Sequence, residues 1–232
     1  MNNRILEEIR ASSLFANTTE AGFATLTRGA YVQTFPPMMD LATEGDLPDF
    51  LYILASGNVE LFARWNGRET TMGFLHQNDT FILAATIRDR PFLMSARTLT
   101  KSRLIMIPSA DVREAFESDP EFAKAIVEEL AGGYRKSVKQ AKSNKLRTST
   151  ERLANYLLRQ SQKAGGASSF ELPQEKKRLA AYLGMTPENL SRSMSSLREQ
   201  GVEVKGQKIR LNDVAALTEF AKPDPLIDSQ TT

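Results

Sequence analysis

The 232-residue sequence predicts an α+β protein: an N-terminal antiparallel β-roll, one long helix and a C-terminal winged helix-turn-helix. Three observations predict it. Between Tyr31 and Ile107, short apolar runs alternate with Gly45-Asp46, Gly57-Asn58, Asn66-Gly67 and Asn78-Asp79, turn signals spaced as in a small barrel or sandwich. After Pro120, apolar residues recur every three or four positions, the period of one helix face. From Pro173 to Leu211 the chain reads as helix, turn, helix and hairpin.

Residues 1–30 suit short helices, with Ile5, Ile9 and Leu14 at roughly helical spacing and Thr18 or Thr19 as a cap for a segment ending near Gly29. In the β region the sharpest signal is Asn66-Gly67, since both residues tolerate the positive φ of a two-residue hairpin turn. That turn predicts Arg64 opposite Glu69, Leu61 opposite Met72 and Val59 opposite Phe74.

Asp119-Pro120-Glu121 opens the long helix, with proline in the first turn and acids near the positive end of the dipole. Phe122, Ile126, Leu130, Tyr134 and Val138 form its stripe, which suits pairing with a second copy, packing on the β domain, or both. Gly132-Gly133 predicts a bend or a close helix approach. Thr148 and Glu151 form a capping box, so the hinge falls at Ser143 to Arg147. The expected divisions are 1–118 for the β-roll, 119–147 for the helix and hinge, 148–222 for the winged helix-turn-helix and 223–232 for a disordered polar tail.

Composition removes several classes of function. With no cysteine, disulfides, thiolate zinc sites and cysteine-ligated iron–sulfur clusters are excluded. With one histidine, His76, histidine-rich metal sites are excluded too. No phosphate loop or dinucleotide fingerprint supports an enzyme. No apolar run approaches the roughly 20 residues of a membrane helix, and Glu7 and Glu8 stand where a signal peptide needs an apolar core, so a cytoplasmic, membrane-free protein is expected. The net charge of +2 conceals an asymmetry: residues 141–222 carry 15 Lys/Arg and 8 Asp/Glu, while the remainder carries 15 and 20. A basic C-terminal part suits a polyanionic partner.

In Pro173–Leu211, Gly184 stops the first helix, expected to run from Pro173 to about Leu183; Thr186 caps the second, and Pro187 takes its first position. Leu179, Leu183, Leu190, Met194 and Leu197 suit a shared core. Lys205-Gly206-Gln207-Lys208 forms a tight basic wing. The second helix of such a motif enters the DNA major groove by its N-terminal residues. Here Glu188, Ser191 and Arg192 share one face. Arginine pairs with guanine O6 and N7, glutamate accepts from cytosine N4, and serine adapts. Thr186, Asn189, Lys176, Lys177, Lys205 and Lys208 are the expected backbone contacts. The competing readings are a solvated Glu188–Arg192 ion pair and a helix-turn-helix used only for protein contacts.

The E-x-x-S-R at Glu188, Ser191 and Arg192 resembles the reading triplet of FNR-type regulators, and Thr43–Phe62 resembles the β-roll signature of the CRP/FNR superfamily, with Gly45 and Gly57 at its turns. The resemblance covers nearly the whole chain. It implies a cyclic-nucleotide-binding-like β-roll, a homodimer, double-stranded DNA and RNA polymerase as partners, and an operator with TTG-type half-sites. The cyclic-AMP binders carry Gly-Glu-Leu and Arg-Ser-Ala where this chain has Ile82-Leu83-Ala84-Ala85 and Leu93-Met94-Ser95-Ala96, so cyclic AMP is not the expected ligand. Phe81–Pro108 instead resembles the nitric-oxide-responsive NnrR-type regulators, which implies control of denitrification genes. No cofactor is evident. The apolar Phe81, Ile82, Leu83, Phe92, Leu93 and Met94 suit a filled core or a flat hydrophobic cofactor. His76 is open to two readings, a plain turn residue and a haem ligand.

Overall fold

A computed structural model describes residues 3–229, in two compact units that divide between Gly132 and Gly133. In the first unit, α1 (Asn3–Arg10) and α2 (Glu20–Arg28) precede eight strands: β1 (Tyr31–Phe35), β2 (Asp40–Ala42), β3 (Phe50–Ser56), β4 (Val59–Trp65), β5 (Arg68–Leu75), β6 (Thr80–Phe81), β7 (Ser95–Thr98) and β8 (Ser102–Pro108). They form two antiparallel sheets, ordered β1-β8-β3-β6 and β2-β7-β4-β5. A short helix, α3 (Leu83–Arg88), interrupts the strands; α4 (Ser109–Ser118) and α5 (Pro120–Leu146) follow them.

Strand alternation divides the apolar residues between two cores. Tyr52 and Leu54 of β3, with Leu104 and Met106 of β8, meet Val59 and Ala96 from the other sheet. Leu51, Ile53, Ile105 and Ile107 face the opposite way, onto α1, α2, α4 and the start of α5. This is why β3 and β8 read as near-continuous apolar runs: the sheet that holds them is covered on both faces.

Several expectations need correction. Arg64 does face Glu69, but a bulge between Leu61 and Phe62 shifts the rest of the hairpin, so Leu61 pairs with Gly73 and Val59 with Leu75. The residue left over is Met72, which is 51% exposed. Glu60, Phe62 and Arg64 alternate onto one face of β4, where Phe62 is fully buried beneath the guanidinium groups of Arg97 and Arg64 at 4.2 and 4.8 Å from its ring centre. α5 runs without interruption through Gly132-Gly133, and within the chain a Cβ at Gly133 would meet nothing within 4 Å.

Phe122 and Ile126 are not free for a partner helix. Both are buried in the N-terminal core, where Phe122 stacks on Phe15 at 5.7 Å. The start of α5 is fastened by Asp119, whose carboxylate accepts from the Thr19 hydroxyl and backbone amide and from the amides of Glu121 and Phe122. Burial raises the pKa of Asp119, but these four hydrogen bonds outweigh it and hold the carboxyl below its ordinary value. Gly22 makes this approach possible, because a Cβ there would collide with the Asp119 carboxylate.

The second unit continues from the last turns of α5 into α6 (Ser149–Lys163), β9 (Ser169–Glu171), α7 (Lys176–Tyr182), α8 (Pro187–Ser196), a 3-10 turn at Leu197–Gln200, β10 (Val202–Lys205), β11 (Lys208–Leu211), α9 (Val214–Ala221) and α10 (Pro225–Asp228). The Thr148–Glu151 capping box is formed at the start of α6. The expected wing hairpin gains a third strand, β9, antiparallel to β11. The first helix of the motif starts at Lys176 rather than Pro173, with Glu175 at its cap position. The tail expected to be disordered instead forms α10, which Asp224 caps through the Leu226 amide; residues 230–232 of that tail lie outside the described residues.

Candidate nucleic-acid interface

The α7–turn–α8 corner is built on one core. Leu179 of α7 and Leu183 just after it, Leu190 and Met194 of α8, Leu197 of the 3-10 turn, and Leu153 and Leu157 of α6 are all buried in it. Gly184 takes the corner with φ of +64°, a conformation that side-chain-bearing residues rarely adopt. Arg152 of α6 holds this corner from behind, its Nε donating to the Leu183 carbonyl at 2.8 Å and its other nitrogens to the carbonyls of Gly184 and Arg147. Burial lowers the pKa of the half-buried Arg152 guanidinium.

α8 begins on a formed cap. The Thr186 hydroxyl accepts from the Asn189 amide at 3.2 Å, and Pro187 fills the first helical position. Because Leu190, Ser193 and Met194 point inward, the other face is left to Glu188, Asn189, Ser191 and Arg192, all exposed. The structure therefore brings the three expected base-reading residues together on one open ridge at the helix N-terminus. The Glu188 carboxyl is held below its ordinary value, first by its own backbone amide, then by the Thr186 hydroxyl, and only weakly by the charge of Arg192. A carboxylate acceptor beside a guanidinium fork on one ridge matches the donors and acceptors of base edges.

The expected backbone contacts are also exposed: Lys176 and Lys177 open α7, and Lys205 and Lys208 flank the wing turn. Lys205 is paired with Glu203 at 2.9 Å, yet its side chain is 80% exposed, so the ammonium stays open to solvent. Sequence reasoning missed two residues. Arg210 lies on the wing across from Glu203 and is 58% exposed, adding a cation beside the lysines. Arg152 was missed because an arginine in the first turns of a helix looks like an ordinary surface residue; only the fold places carbonyls around it.

His76 stands on a turn, 65% exposed, with its Nδ1 3.6 Å from the Asp79 carboxylate. Among the described residues no group of three or more His, Asp or Glu is arranged to hold a metal. The apolar run that suits a filled core or a flat cofactor is split: Phe81 and Phe92 enter the core between the sheets, Leu83 enters the helical core, and Leu93 is 84% exposed. Among the described residues no helix is long and apolar enough to cross a membrane.

Residues 151–220 match the Crp-like helix-turn-helix domain and residues 32–119 the cyclic nucleotide-binding domain, in the order in which the fold presents them. The chain belongs to the CRP/FNR family of transcription regulators. The CRP-like cAMP-activated global transcriptional regulator of Mycobacterium tuberculosis is 24% identical, over 94% of this chain and all of its own length. The nitrogen fixation regulation protein FixK of Rhizobium meliloti is 23% identical, over 88% of this chain and 90% of its own. The structure of FixK2 from Bradyrhizobium japonicum superposes with a TM-score of 0.71 at 21% identity, covering 82% of this chain and 96% of that one, and so shares the fold. This CRP/FNR protein is thus a DNA-binding transcription regulator and not an enzyme.

Its β-roll departs from what a cyclic nucleotide needs. Of the positions that carry glutamate and arginine in the cyclic-AMP binders, one is the exposed Ala84 and the other Met94. The Ser95 hydroxyl accepts from the Glu44 amide, and the nearby Arg97 is engaged by Glu60 and Glu69. The residues present do not fit a cyclic nucleotide.

Proposed function

We propose that this CRP/FNR regulator acts as a homodimer that reads an FNR-like inverted repeat, with Glu188, Ser191 and Arg192 on base edges and Thr186, Asn189, Lys176, Lys177, Lys205 and Lys208 on the phosphate backbone. The observation that carries the reading is the ridge on α8: three residues that match base edges, exposed together at a capped helix N-terminus, with the opposite face buried. The homodimer is supported by the exposed stripe left on α5 beyond the N-terminal core, Val127, Leu130, Tyr134 and Val138, from 38% to 72% exposed. Solvated apolar residues at helical spacing favour pairing with an equivalent helix.

The regulator answers to nitric oxide, controls denitrification genes and meets RNA polymerase at its promoters. The support for this stimulus is the resemblance of Phe81–Pro108 to NnrR-type regulators. Cyclic AMP does not switch it, because a desolvated phosphodiester needs a cation or amide donors and Met94 offers neither. The function is tested by titrating the protein with an inverted-repeat duplex across a salt series and by a reporter driven from such an operator. Binding should weaken steeply as salt rises, and reporter output should change with a nitric-oxide donor. Salt-independent binding would refute DNA recognition, and equal output with and without donor would refute the stimulus.

A further inference from the structure

The C-terminal segment binds the place where α5 gives way to α6. The Asp228 carboxylate accepts four hydrogen bonds: two from Arg147, at 2.8 and 2.5 Å, one from Arg159 at 2.9 Å and one from the Asp224 amide at 2.8 Å. Four is the capacity of a carboxylate. Both partners of the bidentate pair are close to fully buried, with side chains 8% exposed for Arg147 and 10% for Asp228. Next to it, the Lys139 ammonium donates to the Ser229 carbonyl and hydroxyl at 3.0 and 3.1 Å.

Three cations are gathered from two helices. Lys139 lies in the last turns of α5, Arg147 at its end and Arg159 on α6. The segment therefore crosses the junction at Arg147-Thr148 and fastens both sides of it. The Arg147 carbonyl, on the same residue, accepts from Arg152, which holds the Gly184 corner in front of α8. A change in the angle at the junction would break the bidentate geometry, because that pair is directional.

We propose that residues 224–229 form a clasp that sets the angle between the end of α5 and the helix-turn-helix, and so positions the two recognition helices of a dimer for one half-site spacing. Asp228 is its central positioning residue and touches no base. The proposal rests on the dimeric, inverted-repeat reading above.

The test compares full-length wild-type protein, Asp228→Asn and a chain ending at Lys222. Each is titrated with a duplex whose half-sites lie one helical turn apart and with one in which a few base pairs are inserted between them. The ratio of the two affinities, taken on one preparation, does not depend on the folded fraction. Wild type should favour the native spacing. Both variants should lose roughly 3- to 30-fold on it, the range by which residues remote from both sites modulate coupling, and should lose little on the altered duplex, so that the ratio collapses. An unchanged ratio, or equal loss on both duplexes, would overturn the clasp while leaving the operator reading intact. A wild-type protein indifferent to spacing would overturn that reading, and the clasp with it.

Discussion

Arg152 donates its Nε hydrogen to the carbonyl of Leu183, 2.8 Å away, and thereby ties α6 to the corner that aims α8. Two more of its nitrogens reach the carbonyls of Gly184 and Arg147. Arg152→Ala leaves these carbonyls without their donor. Hydrogen bonds to a charged group contribute about 1.5–3 kcal/mol, so the variant should unfold at lower urea concentration, with an unfolding free energy smaller by about that amount. Operator binding should fall further than the unfolded fraction accounts for. Unchanged unfolding and binding would show that the corner holds itself.

The second prediction concerns assembly. Leu130 and Val138 lie on the exposed stripe of α5, whereas Phe122 and Ile126 are buried in the N-terminal core. Leu130→Glu or Val138→Glu should yield a folded monomer by sedimentation, with weakened operator binding. Phe122→Ala should act differently, costing about 3–5 kcal/mol of stability as a core truncation. Glutamate variants that remain dimeric at micromolar concentration would place the interface elsewhere.

The third concerns a buried charge. Glu60 is 1% exposed and receives two hydrogen bonds from Arg97, at 2.9 and 2.8 Å, and one from Thr71. Removing one partner strands the other, at a typical cost of about 3–5 kcal/mol. Arg97→Met should therefore destabilise the protein strongly in chemical denaturation, and Glu60→Leu with Arg97→Met together should destabilise it less than Arg97→Met alone. A double variant worse than the single would contradict the pairing.

The fourth is a pH dependence. The hydrogen bonds from Thr19, Glu121 and Phe122 hold the Asp119 carboxyl below its unfolded value. Its stabilisation is thus complete above the ordinary carboxylate range, near pH 4, and is lost as pH falls through the folded pKa. The unfolding midpoint of the wild type should drop on acidification through that range, and Asp119→Asn should drop less. Parallel curves for the two proteins would remove Asp119 as a source of acid sensitivity.

What the sequence revealed follows physical scale. Features set by neighbours were legible: the Thr148–Glu151 box, the Gly184 corner, the Thr186 cap and the one-face arrangement of Glu188, Ser191 and Arg192 all follow from backbone geometry over a few residues. Features set by tertiary partners were not. The bulge that leaves Met72 unpaired has no mark in the neighbouring residues, which read as an unbroken alternation. The periodicity of α5 is legible, but period alone does not say which partner covers which turn; only the fold shows Phe122 and Ile126 buried in the N-terminal core and Leu130, Tyr134 and Val138 exposed. The tail looked structureless because its order comes from Arg147 and Arg159, far away in sequence.

The most direct test of the account is selection of bound sequences from random duplex DNA by the wild type and by Arg192→Ala. The wild type should return an inverted repeat with half-sites centred about one helical turn apart and an invariant guanine in each. Arg192→Ala should lose about 1–3 kcal/mol per half-site and relax the preference at that guanine alone. Removing Lys208 should instead weaken all sequences alike. A selection without a palindrome, or an Arg192→Ala protein that keeps the same guanine preference, would contradict the claim that the exposed ridge of α8 reads the DNA.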